Sequence, residues 1–65
     1  MTEAEFLDAL KKLGFTSTNI TSTFGRMWEH KSGQRRMIQE PQYLSPRLRK
    51  LQIEKLTNSL GVATH

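Results

Sequence analysis

The sequence predicts an all-α fold, a compact bundle of four to five short helices, and three observations carry that expectation. Two segments have both the start and the stop signals of a helix, the apolar residues between those signals recur at helical spacing, and no stretch reads convincingly as a strand. The 65 residues make one small helical domain over 1–61, with 62–65 as a frayed tail. A chain of this length buries only about 60% of its unfolded surface. Its stability therefore comes from tight packing of short elements or from a partner chain.

The first helix is expected from Glu3 to Leu13. Thr2 followed three residues later by Glu5 is the spacing of a capping box, and Phe6, Leu10 and Leu13 fall on one side with Leu7 and Ala9. Acidic residues stand near its start and Lys11 and Lys12 near its end, which suits the helix dipole. Gly14 supplies the left-handed residue that ends it. From Phe15 to Phe24 the chain reads FTSTNITSTF, poor in helix formers and rich in caps. A short helix is expected there from Thr18 or Asn19, with Phe15, Ile20 and Phe24 as core contacts.

Treating 26–39 as one helix puts Lys31 and Arg35 into the stripe of Met27, Trp28 and Ile38, so the periodicity argues for a break at Ser32-Gly33. That gives a helix near Arg26 to Lys31 and another from about Gly33 to Gln39, ended by Pro41. The last helix is expected from Pro46 to Leu60. Ser45 is an N-cap, Pro46 suits the first helical position, and Gly61 follows the final apolar residue. Leu48, Leu51, Ile53, Leu56 and Leu60 spread over an arc broader than one neighbour needs, with Met37, Ile38, Tyr43 and Leu44 available to cover part of it.

Composition excludes several classes of function. Without cysteine there are no disulfides, thiolate nucleophiles or cysteine-bound metals, which favours a reducing, cytoplasmic home. No segment reaches the roughly 18 apolar residues of a membrane span, and the acidic start MTEAEFLD is unlike a signal peptide. His30 and His65 have no catalytic or ligating team, so no enzyme, cofactor or metal is expected, and His30 reads as a polar surface or phosphate-neighbouring residue. Trp28 reads as a core anchor.

Charge is the more informative feature. The net charge is +4, and it is unevenly placed. Residues 1–25 sum to −1 from three acids and two lysines, while 26–55 sum to +5 from eight cations against Glu29, Glu40 and Glu54. A basic half on so small a chain points to an anionic partner, nucleic acid foremost. If the expected helix at Gly33 enters a major groove, Gln34 and either Arg35 or Arg36 would read base edges. Arg47, Arg49 and Lys50 would meet phosphates, because a helix that begins after Ser45-Pro46 approaches a backbone end-on.

The segment EFLDALKKLGFTSTNITSTFG resembles the opening of short phage and prophage helix-turn-helix regulators, including the repressors that accompany anti-CRISPR genes. Leu13-Gly14, Thr16-Ser17, then Thr21 and Gly25 occupy the places of that pattern. Trp28 and Ser32-Gly33 are similar to the residues that follow its recognition helix. The likeness covers about two thirds of the chain and implies a degenerate helix-turn-helix-like fold. Only Arg26 and Met27 lie between the glycine and the tryptophan, so either the recognition helix is displaced toward 33–39 or the motif is degenerate.

The expected function is a small DNA-binding transcriptional regulator, a repressor of helix-turn-helix type acting as a dimer on operator half-sites. Its DNA-binding residues would be Arg26, Lys31, Ser32, Gln34, Arg35, Arg36, Arg47, Arg49 and Lys50, its partner double-stranded DNA, and its homodimer surface the 46–60 helix. In the cytoplasm it would associate with the nucleoid. The alternative is a small phage-type helical protein that binds and inhibits or adapts another protein. Structured RNA ranks below both, since interleaved aromatics for base stacking are lacking.

Overall fold

Thr2 and Glu5 close the capping box reciprocally. The Glu5 amide donates to Thr2 Oγ1 at 3.1 Å, and the Thr2 amide donates to Glu5 Oε1 at 2.8 Å. Helix α1 (Glu3–Lys12) follows, with Glu3 and Glu5 in its first turn and Lys11 and Lys12 in its last. It ends through Leu13 into Gly14, whose φ of 99° is open to glycine at little cost. At the other end of the chain Ser45 caps the Leu48 amide at 3.2 Å and Pro46 opens helix α2 (Pro46–Ser59). Both terminal helices stand where the capping residues predict them.

The middle of the chain departs from that expectation. The computed structural model describes residues 1–61, and between its helices it places strands β1 (Phe15–Thr21), β2 (Gly25–His30) and β3 (Arg35–Gln39). They pair antiparallel in the order β1-β2-β3, and a 3-10 turn (Pro41–Tyr43) leads from β3 to α2. The protein is therefore α+β, an αβββα chain with two helices and a three-stranded sheet, and the four-to-five-helix bundle is corrected. The helices expected at Thr18, at Arg26–Lys31 and at Gly33–Gln39 are the three strands. The expected frayed tail, 62–65, lies outside the described residues.

The physical reason is a period of two rather than 3.6. Arg26, Trp28 and His30 point to one face of β2 while Met27 and Glu29 point to the other. Trp28 and His30 are buried, and Glu29 is exposed. Ser32-Gly33, which breaks the helical reading, is instead the turn of a β2–β3 hairpin. There the His30 amide donates to Gln34 O at 2.7 Å, the Gly33 amide donates to His30 O at 2.8 Å, and Gly33 has φ 92°. In β1 the β-branched residues Thr16, Thr18, Ile20 and Thr21 favour extended chain. Its pairing shifts between Ser17 and Thr21, and the Thr18 hydroxyl donates to Met27 O at 2.6 Å across the irregularity.

The core lies between the helices and one face of the sheet. Phe6 and Leu10 of α1, Phe15, Trp28 and Ile38 of the sheet, and Leu56 of α2 are its buried members, with Leu7, Leu13, Leu44, Ile53 and Leu60 packed around them. Burying Phe6 and Leu10 completely contributes roughly 1.5–3 kcal/mol each. Ile20 and Phe24, expected inside, are instead 55% and 57% exposed. The second face of the sheet, with Thr16, Met27, Glu29, Arg35 and Met37, is covered by no described element.

Three polar ties fix the helices to the rest of the chain. His30 is 8% exposed, correcting its reading as a surface residue. Its Nδ1 lies 3.1 Å from the Ser32 amide and 2.9 Å from Ser32 Oγ, and its Nε2 lies 2.7 Å from Leu13 O. A backbone amide only donates, so Nδ1 accepts and Nε2 carries the hydrogen that it donates to the end of α1. Arg49 donates to Pro41 O at 2.9 Å and to Met1 O at 3.1 Å. Arg36 donates to Ser59 Oγ at 2.9 Å. The starts of α1 and α2 thus share the end of the molecule where the β1–β2 turn lies, and both helices finish beside the β2–β3 hairpin. Among the described residues no helix is long and apolar enough to cross a membrane.

Candidate nucleic-acid interface

The nine residues expected to bind DNA separate by location and by what already holds them. At the hairpin end, Ser32 is bonded to His30, and Gln34 Oε1 accepts from Arg36 Nη2 at 2.9 Å. Lys31 and Arg35 are exposed. Arg36 belongs to the scaffold, since the same Nη2 reaches Ser59 and its Nε is buried without a partner. With strand β3 in place of a helix, Arg35 and Arg36 point to opposite faces, Arg35 beside Glu29 and Arg36 toward α2. They do not form one reading edge.

Arg26 is also engaged. Its Nε lies 3.6 Å from Glu40 Oε1, and its Nη1 donates to Thr18 O at 3.3 Å, bracing the irregular stretch of β1. It stands in a cleft of about 240 Å³ lined by Leu7, Lys11, Ser17, Trp28 and Glu40. The cation is half-covered there and paired with Glu40.

The opposite end is different. The first turn of α2 brings Arg47, Arg49 and Lys50 together with no acidic residue among them. Arg49 turns inward to Pro41 and Met1, whereas Arg47 and Lys50 are exposed, three residues apart on neighbouring turns, with no ion pair among the described residues. Pro46 has no amide hydrogen and the Leu48 amide is capped by Ser45, so the Arg47 amide is the donor left open at this helix start. Two exposed cations and one amide thus stand at the positive end of the helix dipole, an arrangement suited to a phosphate. Of the three cations that the sequence places at this helix start, the fold leaves Arg47 and Lys50 exposed and takes Arg49 into the scaffold.

Beside it stand residues that the sequence reading assigned to the core or to a connection. Phe24, in the β1–β2 turn, meets Tyr43, in the 3-10 turn, edge to face with ring centroids 5.3 Å apart. Tyr43 is 49% exposed. The Glu40 amide donates to Phe24 O at 2.8 Å and holds the two turns together. The signal in the sequence is Ser22-Thr23-Phe24-Gly25, a polar, glycine-ended turn that presents its aromatic outward.

Comparison with known proteins adds no relative: no family model, no curated protein and no solved structure matches the chain.

Proposed function

We propose that this protein binds nucleic acid by gripping the phosphates of a duplex with the first turn of α2. The observation that carries the reading is a reversal of charge between the two helices. Helix α1 has acids at its start and lysines at its end, while α2 has three cations and no acid at its start and no basic residue in its last turn. A charge placed against the dipole costs about 0.3–1 kcal/mol. A docked phosphate reverses the sign of that term for Arg47 and Lys50. The net charge of +4 adds the longer-range attraction. Without a helix in the middle of the chain, recognition rests on backbone position and duplex shape rather than on a recognition helix in the major groove.

The test is the affinity of a fluorescein-labelled duplex of random sequence, read by anisotropy at low salt. Arg47→Ala with Lys50→Ala should weaken binding at least about tenfold, the loss of roughly 1.4 kcal/mol, while Arg35→Ala changes it little. Unchanged affinity in the double variant, or no binding by the native protein, overturns the reading.

A second reading has its own observation. Leu48 and Leu51 stay 49% and 41% exposed on α2, because Ile53, Leu56 and Leu60 turn inward and leave them as the uncovered part of the apolar arc. A second copy covering them would make the homodimer expected from the sequence. Association through that surface would be nearly indifferent to salt, unlike phosphate binding.

A further inference from the structure

We infer that the cleft between the β1–β2 turn and strand β3 takes an unpaired nucleobase of the nucleic acid whose phosphates α2 holds; the inference rests on the proposed function and deepens it. The cleft measures about 270 Å³ and is lined by Ser22, Phe24, Gly25, Met37 and Gln39. That is below the roughly 300–1,000 Å³ of a pocket for a drug-sized ligand, and it suits one flat ring system. Its walls are the exposed ring of Phe24 and the Met37 side chain, 48% exposed. Both are soft, polarisable surfaces on which a π-face packs well.

The floor is bare backbone at Gly25, and it has to be. A Cβ on Gly25 would stand 2.9 Å from Ile38 O, so the close approach of β2 to β3 excludes a side chain there. Gln39 places an exposed carboxamide at the rim, a group able to pair with a base edge through both its donor and its acceptor. Ser22 stands beside Met37, its Oγ accepting from the Gly25 amide at 3.2 Å and donating to Met37 Sδ at 3.8 Å. The edge-to-face contact with Tyr43 sets the Phe24 ring while occupying only one ring face of the pair.

Charge identifies the occupant. A flat apolar ligand alone has no reason to find this cleft, but Arg47 lies four residues beyond Tyr43, at most about 14 Å of extended chain. A base on Phe24 and a neighbouring phosphate on Arg47 and Lys50 are therefore within reach of one strand. An aromatic surface beside cations that follow the backbone is how single-stranded segments are held without sequence reading. The base comes from a single strand, a frayed duplex end or a bulge.

The experiment compares a single-stranded DNA octamer with an octamer of abasic deoxyribose phosphate, each titrated at low salt against the native protein and against Phe24→Leu. Phe24 is exposed in a turn, and circular dichroism checks that the variant keeps the fold. The expected result is tighter binding of the base-bearing octamer by about five- to a hundredfold. In Phe24→Leu that preference should collapse while affinity for the abasic octamer is retained. Equal binding of both octamers by the native protein overturns the base site and leaves the phosphate grip standing. A preference that survives Phe24→Leu overturns it too, and binding of neither octamer overturns the base site while the duplex titration decides the phosphate grip separately.

Discussion

Replacing His30 by Phe tests the arrangement that joins α1 to the sheet. The new ring keeps the shape that packs against Phe15, whose ring centroid is 5.0 Å from that of His30. It removes the donor to Leu13 O and the acceptor for the Ser32 amide. A buried polar group stripped of its partner costs about 1–3 kcal/mol. Both groups lie at a half-buried rim where water regains part of that loss, so the sum is about 2–3 kcal/mol. A chain of 65 residues has a total stability on the order of 3–10 kcal/mol. Urea unfolding followed by circular dichroism reads the change directly. With a slope of about 1 kcal/mol/M for so small a protein, the midpoint should fall by about 2 M, and Tm by on the order of 10–20 °C. A His30→Phe midpoint within about 0.3 M of the native one, at unchanged slope, would show that the hydrogen bonds contribute nothing net and refute the clamp.

Equal charges on α2 should behave unequally. Arg49→Ala removes two bonds to backbone carbonyls and should cost about 1–3 kcal/mol, whereas Arg47→Ala should leave the melting temperature within about 2 °C or raise it, since a cation leaves the positive end of a helix; differential scanning fluorimetry separates the two. Arg36→Ala should also destabilise, by loss of its bond to Ser59, although Arg35→Ala does not, so a double change at 35 and 36 confounds folding with binding. For Glu5, the Thr2 amide and then the Thr2 hydroxyl hold the carboxyl below its ordinary value of 4.5. A carboxylate with a lowered pKa contributes stability that is full above that ordinary value and is lost as pH falls from about 4.5 through the lower folded value. Glu5→Gln should flatten that part of the pH–stability curve measured by urea unfolding, and an unchanged acid limb would mean that the capping box does not form in solution.

The two helices were legible because their signals are local. A capping box, an N-cap followed by proline and a terminal glycine act within one turn, and both helices begin at the expected residue. The strands were not legible because their evidence is split between distant residues. In β2 the inward positions are Arg26, Trp28 and His30, two of them polar, so the alternation does not register as apolar and polar. It becomes intelligible only once Glu40 and Leu13 are seen to partner Arg26 and His30 from elsewhere in the chain. The conflict raised by a helix over 26–39, with Lys31 and Arg35 inside the apolar stripe, was a genuine signal of the wrong period, resolved by breaking the helix when it called for a hairpin.

Site residues divide in the same way. The placement of Arg47 and Lys50, to which the phosphate grip is proposed, was legible because α2 begins at the expected residue. Arg26, Arg36 and Arg49 look identical to them in sequence, yet each is committed to a partner that only the tertiary fold supplies. Phe24 shows the converse error. An aromatic in a small protein is ordinarily core material, but its place in the three-residue β1–β2 connection turns it outward beside Tyr43.

The most direct measurement is the salt dependence of duplex binding by the native protein and by the variant with Arg47→Ala and Lys50→Ala. Each phosphate contact contributes about 0.9 to the slope of log affinity against log salt. The native protein should show a slope of at least about −2, and the variant should be flatter by about 1.8 because two of those contacts are gone. Equal slopes, or a native protein that binds no duplex at the lowest salt, would contradict the assignment of the phosphate grip to α2.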